Sequence, residues 1–378
     1  MTIEGKKHNP AAIRVLCVNL ESSIAGAEQS LLLLVRFVPK RIQIFAACPA
    51  GVLTEKLRSL GIRTCQILSP PRKSNHFFIW LFYLAFVNIQ LNLIVFKTRP
   101  QIIHANSTKA VLATILPKVF AGRKLIWHMR DLRCSRLLAG ICRCLSSKVI
   151  AVSKAVKDKL IGLGVKAEHI EVIYNGIATD DIPAKITKKD QSSPVTFANI
   201  GQFVPWKKQF LFIEAAERFL QDGSNAQFIL IGDDIFARDG KYKKELISKV
   251  MTSPFAQNIK IIGWQDNLAS YWEQIDCLVH TADAEPFGRV IIEAMAHGVP
   301  VIAVAGGGPA EIITNGETGL LFDPDDSDGL LEAMKTISQD RELAHNLAIN
   351  ARKYIISNFQ VKHTSEKIAR VYEELMAA

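Results

Sequence analysis

Short apolar runs alternate with helix-length stretches along almost the whole chain, and this alternation leaves few folds open. The runs fall at 13–19, 42–48, 102–105, 125–128, 148–152 and 171–174, and again at 195–201, 228–232, 259–263, 277–281, 300–304 and 320–322. Runs this short, rich in Val, Ile and Leu and bounded by Gly, Pro or Asn, read as strands buried on both faces. A helix between two such strands makes a right-handed crossover, so the strands lie parallel and helices cover both faces of the sheet. The chain has 378 residues, and at about 100–200 residues per domain two domains are expected. The series breaks at 178–194, a polar stretch with Asp180, Asp181, Lys185, Lys188, Lys189 and Asp190 and no periodic apolar positions. The expected organisation is an α/β chain of two Rossmann-like parallel-sheet domains, 1–185 and 195–360, joined by a linker at 186–194 and followed by a last helical segment, 361–378. Open parallel sheets bind ligands beyond the carboxyl ends of their strands, so two of them would hold a ligand in a central cleft.

Charge divides the halves. Residues 1–190 carry 29 Lys/Arg against 11 Asp/Glu, a balance of +18; residues 191–378 carry the remaining 17 against 25, a balance of −8. The first half is expected to face an anionic partner. Nucleic acid is disfavoured, because the aromatics cluster at 77–86 without interleaved Lys or Arg. The stretch 76–96 is almost wholly apolar and is flanked by Arg72, Lys73, Lys97 and Arg99. It fits a buried helix or a helix lying in a membrane interface, and is less suited to a span. Seven scattered cysteines, an odd number, argue against a secreted disulfide framework and for a reducing cytoplasm.

The richest stretch for chemistry runs from Glu285 to Glu311. Pro286, Phe287 and Gly288 open a helix that carries Glu293 and stops at Gly298, and the free N–H groups of such an opening suit hydroxyls or a diphosphate. Glu285 and Glu293 are eight positions apart, about 12 Å along a helix, which is too far for the paired carboxylates of a glycoside hydrolase. They suit two anchors on one elongated ligand. Gly306, Gly307 and Gly308 follow a strand and precede another helix start, where backbone can approach a phosphate closely. Asp323 and Asp325 form an Asp-x-Asp that reads as a turn, and no metal site is expected.

With these residues in view, the segment resembles the donor site of the GT4 group of GT-B glycosyltransferases: Glu, seven residues, Glu, then a Gly-Gly-x-x-Glu loop. The resemblance extends over nearly the whole chain, through Ala25-Gly26-Ala27-Glu28, His104-Ala105-Asn106, Val152-Ser153-Lys154, Tyr174-Asn175-Gly176 and Gly201-Gln202-Phe203-Val204-Pro205-Trp206-Lys207. It implies a retaining, metal-independent transfer from a UDP- or GDP-sugar, which is a substrate rather than a cofactor, and a last helix that crosses back to the first domain. It implies Glu293 at the ribose, Glu285 at the transferred sugar, amides of Phe287 and Gly288 beside that sugar, Lys207 at the diphosphate, and Gly26 and Gly307 in loops near the donor. Two departures stand out. Gln202 occupies a position where the family often has Arg, with Lys208 as an alternative source of charge. Arg130 occupies the slot of a His near the reacting sugar, which leaves His128, two residues earlier, or Arg130 itself for that role. The expected acceptor is lipid-linked or a polysaccharide, at the inner membrane face. A donor-binding pseudoenzyme, a nucleotide-sugar epimerase and a phosphorylase are the alternatives within reach of the same fold.

Overall fold

The computed structural model describes residues 12–71, 77–179, 182, 193–235 and 240–377. Most of the polar stretch at 178–194, together with Arg72 and Lys73, lies outside them. Seven strands build the first sheet: β1 (Ile13–Val18), β2 (Ile42–Pro49), β3 (Arg63–Ile67), β4 (Ile102–Ala105), β5 (Lys124–Met129), β6 (Lys148–Ala151) and β7 (Ile170–Val172). Six build the second: β8 (Val195–Ile200), β9 (Ala226–Ile231), β10 (Ile259–Ile262), β11 (Cys277–His280), β12 (Val301–Val304) and β13 (Leu320–Phe322). Every pairing is parallel, in the orders β3-β2-β1-β4-β5-β6-β7 and β10-β9-β8-β11-β12-β13. Chain direction across the sheet reverses beside β1 and beside β8, so each sheet opens a crevice at its carboxyl edge there.

The alternation in sequence thus yields the expected two sheets, with one strand more than was read. β3 has the sequence RTCQI and pairs only with β2. An edge strand needs no continuous apolar run, and Arg63, Thr64 and Gln66 hid it. Central strands show why the other runs were so apolar. Leu16, Val18, Ile103, Leu125 and Trp127 fill the core on one face of the first sheet, and Val15, Cys17, Ile102 and Ile126 fill the core on the other.

The chain crosses between the halves twice. Beyond β7, Ile177 N–H donates to Phe359 O at 2.9 Å, and Val361 N–H donates back to Ile177 O at 2.9 Å. The helix Val361–Ala377 then lies on the first sheet's own helix Gly26–Phe37, with Ile368, Ala369, Val371 and Tyr372 in that core. Arg41 pairs with Glu366 and Glu373 at its outer edge.

The apolar stretch is the helix Phe77–Thr98. Tyr83, Val87, Leu91 and Val95, spaced by four, are buried against the domain. The opposite face exposes Phe78, Phe82, Phe86, Ile89, Leu93 and Phe96, with Phe82 75% and Leu93 63% accessible. Val119 and Phe120 on the neighbouring helix Ile115–Ala121, and Leu137 on the helix Arg136–Leu145, are exposed as well. The helix is long and apolar enough to cross a bilayer by length and composition, yet one face belongs to the core of a folded sheet domain.

Candidate functional site

Glu285 sits five residues past the end of β11, at the mouth of the second crevice. Its side chain is buried, with Oε2 hydrogen-bonded by Lys207 Nζ and 3.2 Å from His280 Nε2. Burial alone would raise this carboxyl, but Lys207 and His280 outweigh it and hold Glu285 well below the usual carboxylate range. Burial, and then the charge of Lys207, push the His280 imidazole below its ordinary value against the pull of Glu285. Glu285 is therefore a carboxylate, paired with Lys207 and beside a neutral ring. Lys207 comes from the tight turn Pro205–Lys207 beyond β8, and Thr281 Oγ1 donates to its carbonyl at 2.8 Å. Its Nζ lies 4.6 Å from the centroid of the Trp206 ring, which Arg133 of the first half approaches at 5.6 Å.

The Gly-rich loop holds Glu285 in place. Gly307 has φ +57°, and a Cβ there would lie 2.5 Å from Glu285 O. At Gly308 it would lie 2.3 Å from the Phe287 backbone, while Gly308 N–H donates to Glu285 O at 2.9 Å. The close approach that these glycines permit is to the chain's own backbone at Glu285 and Phe287. Gly288, with φ +99°, turns the chain into the helix Arg289–Ala296. The ring of Phe287 is buried between Tyr174 and Phe359, 6.0 Å from each centroid.

At the first position of that helix, Arg289 spans the cleft. Its Nη2 donates to Glu293 Oε1 at 2.8 Å and its Nη1 to Ser30 Oγ of the first half at 3.1 Å. Ser30 Oγ in turn donates to Gly26 O at 2.9 Å, and a Cβ on Gly26 would touch Arg289 Cδ at 3.4 Å. Glu293 and Gly26 thus come together through a residue the sequence reading did not single out. Gln202 lies beside the Lys207 turn, its carbonyl accepting from Gln209 Nε2 at 2.8 Å. Lys208 is engaged by Asp283 and Asp325, and Asp325 occupies a left-handed turn with φ +62°.

His128 lies deeper, 1% accessible on β5, under Arg130. Arg130 donates from Nε to Asn106 Oδ1 at 2.7 Å and from Nη1 to Asn175 Oδ1 at 2.8 Å, and its Nη2 lies 3.2 Å from His128 Nδ1. Arginine only donates, so His128 Nδ1 accepts and its proton is on Nε2. His104 Nε2, 3.0 Å from the same Nδ1, is then the donor, and His104 Nδ1 accepts from Tyr372 OH at 2.7 Å. Burial pushes His104 down to about 3 and His128 well below its usual value, with Arg130 adding to both. The chain from Tyr372 to Arg130 is thus a neutral support beneath one cation.

Glu311 is a further contact that its position in a helix's first turn did not disclose. Its carboxylate accepts Lys154 N–H at 2.8 Å, Ala155 N–H at 2.7 Å and Tyr174 OH at 2.8 Å. All three donors are in the first half. Lys154 and Ala155 open the helix Lys154–Gly162, where Ser153 Oγ already accepts from Val156 N–H. A carboxylate from the second half completes the cap.

Comparison with known proteins fits these features. The model of the family described as Glycosyltransferase Family 4 matches residues 24–181, and that of Glycosyl transferases group 1 matches 181–354. The lipopolysaccharide core biosynthesis glycosyltransferase LpsE of Rhizobium meliloti is 27% identical over 233 residues, 61% of this chain and 64% of that protein. The N-acetyl-alpha-D-glucosaminyl L-malate synthase of Bacillus anthracis is 27% identical over 236 residues, 61% of this chain and 59% of that protein. These matches span about three fifths of the curated relatives' length. Among solved structures, Anabaena HepE in complex with UDP-glucose superposes with a TM-score of 0.84 at 26% identity, over 96% of this chain and 100% of that one. With two facing Rossmann-like sheets and the two family models together matching residues 24–354, the chain belongs to the GT4-type glycosyltransferases of the GT-B fold.

Proposed function

We propose that the protein transfers a sugar from a UDP-sugar to a lipid-linked or polysaccharide acceptor, with retention at the anomeric carbon and without a metal. The observation that carries this reading is the buried Lys207–Glu285 pair beside His280 at the mouth of the second crevice. A buried carboxylate held ionised is a strong acceptor for two sugar hydroxyls, and a buried ammonium beside it suits a departing diphosphate. Donor entry separates the pair: Lys207 turns to the diphosphate and Glu285 to the sugar. Glu293 takes the ribose hydroxyls once Arg289 swings off it, and the amides of Phe287 and Gly288 face the sugar. Gly26, Gln202 and Gly307 shape the walls around the donor. Arg130, held over His128, stands in the slot on the first half's wall. The sugar–phosphate bond breaks as the acceptor oxygen bonds to the same face of the sugar, and the leaving phosphate takes the acceptor's proton. UDP and UDP-glucose in the HepE structures support a uridine donor. The test is thermal stability against UDP, GDP and ADP and their sugar conjugates. The reading expects a rise with UDP compounds that is lost in Glu293→Ala. A Glu293→Ala protein that is stabilised and turns over like wild type refutes the ribose assignment.

The exposed face of the helix Phe77–Thr98 supports docking on an anionic membrane from the cytoplasmic side. Bulky apolar side chains would sit among the acyl chains, and Lys97 and Arg99 at the end of the helix would meet lipid phosphates. A lipid-linked acceptor would then reach the cleft without leaving the bilayer. The polysaccharide and lipopolysaccharide roles named for LpsE and for the capsular glycosyltransferase CapM of Staphylococcus aureus support this acceptor class.

A further inference from the structure

Arg130 is held by unusual partners. Three strand ends of the first sheet converge on it, and what they offer is neutral: Asn106 after β4, Asn175 after β7 and His128 within β5. Asn106 is fixed in turn by its Nδ2, which donates to Asn19 Oδ1 beyond β1 at 3.0 Å. Among the described residues no carboxylate bonds to Arg130. The buried Glu28 acts on it electrostatically, while its own carboxylate accepts Ala25 N–H at 3.1 Å. A guanidinium has five N–H groups, and the three contacts leave two of them for a further acceptor. Arg289, the cation that bridges the cleft, bonds to Ser30, which lines the same small cavity as Arg130, and its charge acts against that of Arg130. Two guanidinium groups converging on one wall, one of them fixed by neutral acceptors, make a socket for an anion.

From Arg130 the chain runs through Asp131 to Ser135 straight into the helix Arg136–Leu145, whose Leu137 lies on the exposed apolar surface at 74% accessibility. Arg133, on this connection, faces Trp206 across the cleft. The socket is thus joined by a few residues to the surface read above as the membrane face.

We propose that Arg130, with Arg289 beside it, binds a phosphate group of a substrate on the first half's wall of the cleft. The inference rests on the glycosyltransferase reading. The phosphate has two possible sources, the donor's diphosphate or a phosphate on the acceptor lipid. Lys208 is taken up by Asp283 and Asp325, and Gln202 is neutral, so Lys207 has no free cationic neighbour among these on the donor side.

The experiment measures four affinities by calorimetry, in wild type, Arg130→Gln and Arg130→Lys: UDP, uridine, and, with UDP present, farnesyl phosphate and farnesol. A loss of tenfold or more for UDP in Arg130→Gln, with uridine unchanged, assigns the socket to the donor. The same loss for farnesyl phosphate alone, with farnesol unchanged, assigns it to the acceptor. Partial recovery in Arg130→Lys follows in either case, because the charge returns without the fork. If both phosphate-to-parent affinity ratios in Arg130→Gln equal those of wild type, the proposal is overturned. Wild type that binds no nucleotide refutes the donor reading instead, and the farnesyl pair, repeated without UDP, still decides on Arg130. Apo melting temperatures of the variants separate a folding defect from lost binding.

Discussion

Glu311→Gln is expected to destabilise the closed arrangement of the two halves by about 2–4 kcal/mol. The carboxylate takes two backbone N–H groups at the start of the helix Lys154–Gly162 on its two separate oxygens, and Tyr174 OH on one of them. Glutamine has the same shape but only one accepting oxygen. One backbone donor is left facing an NH2 group, and the remaining bonds lose their charge. A hydrogen bond to a charged group contributes about 1.5–3 kcal/mol, an orphaned donor costs about 1–3 kcal/mol, and the lost charge at a helix start adds up to about 1 kcal/mol. These terms overlap, because the orphaned donor is the one whose bond is lost, so the sum is taken below their total. The assay is urea unfolding of wild type and Glu311→Gln, with Tyr174→Phe as a smaller control expected at about 1 kcal/mol. Small-angle scattering should show the variant more extended in the absence of nucleotide. A stability change below about 0.5 kcal/mol, with unchanged scattering, would refute the view that this carboxylate fastens the halves together.

Three further outcomes follow from the structure. Acid should weaken the fold through His104, which burial and Arg130 hold down to about 3 in the native state. Unfolded chains bind its proton below about pH 6.5, so native stability falls as pH drops through that value, by about 2 kcal/mol between pH 7.5 and 5 from this group alone. Urea unfolding at both values should show that much less pH dependence in His104→Asn, and an identical dependence would refute the assignment. Gly307→Ala places a Cβ 2.5 Å from Glu285 O at φ +57°, and should cost about 2 kcal/mol or more together with most transfer activity. A variant with normal melting temperature and turnover would show that the loop does not fix Glu285. Phe82→Glu with Leu93→Glu should abolish sedimentation with anionic liposomes at low salt while leaving the melting temperature near that of wild type, since both side chains are exposed. Equal sedimentation of the double variant and wild type would exclude this face as the docking surface.

The two sheets were legible because each central strand is buried on both faces and therefore has to be an unbroken apolar run, as at Val15–Val18. β3 was not, because an edge strand needs only one good face. Glu285 and Gly307 stood out by spacing and neighbours and Lys207 through the family resemblance, and the structure brings the three together as an ion pair and a backbone clamp. The reach of Arg289 and of Glu311 across the cleft escaped notice for a common reason. Each bonds to residues more than 130 positions away, Ser30 in one case and Lys154, Ala155 and Tyr174 in the other. Local pattern carries no record of which half a charged side chain will reach across to. Arg130 was visible as an oddity of position, but its neutral support came from Asn106 and Asn175, whose side chains converge only when β4, β5 and β7 are in register.

The last helix has a consequence for how the protein is made. Tyr372 is fully buried in the core of the first sheet, along with Ile368, Ala369 and Val371. The first sheet leaves the ribosome early, yet the element that closes one of its faces is translated only after the whole second sheet. At about 5–20 residues per second, that face stays open for on the order of 10–40 seconds while the second half is synthesised. The first half therefore cannot complete its fold during its own translation, whereas the second half has its six strands in hand before the helix appears. The order of maturation runs against the order of synthesis. A stop codon within the helix Val361–Ala377 should send to the proteases a chain whose second half is already formed.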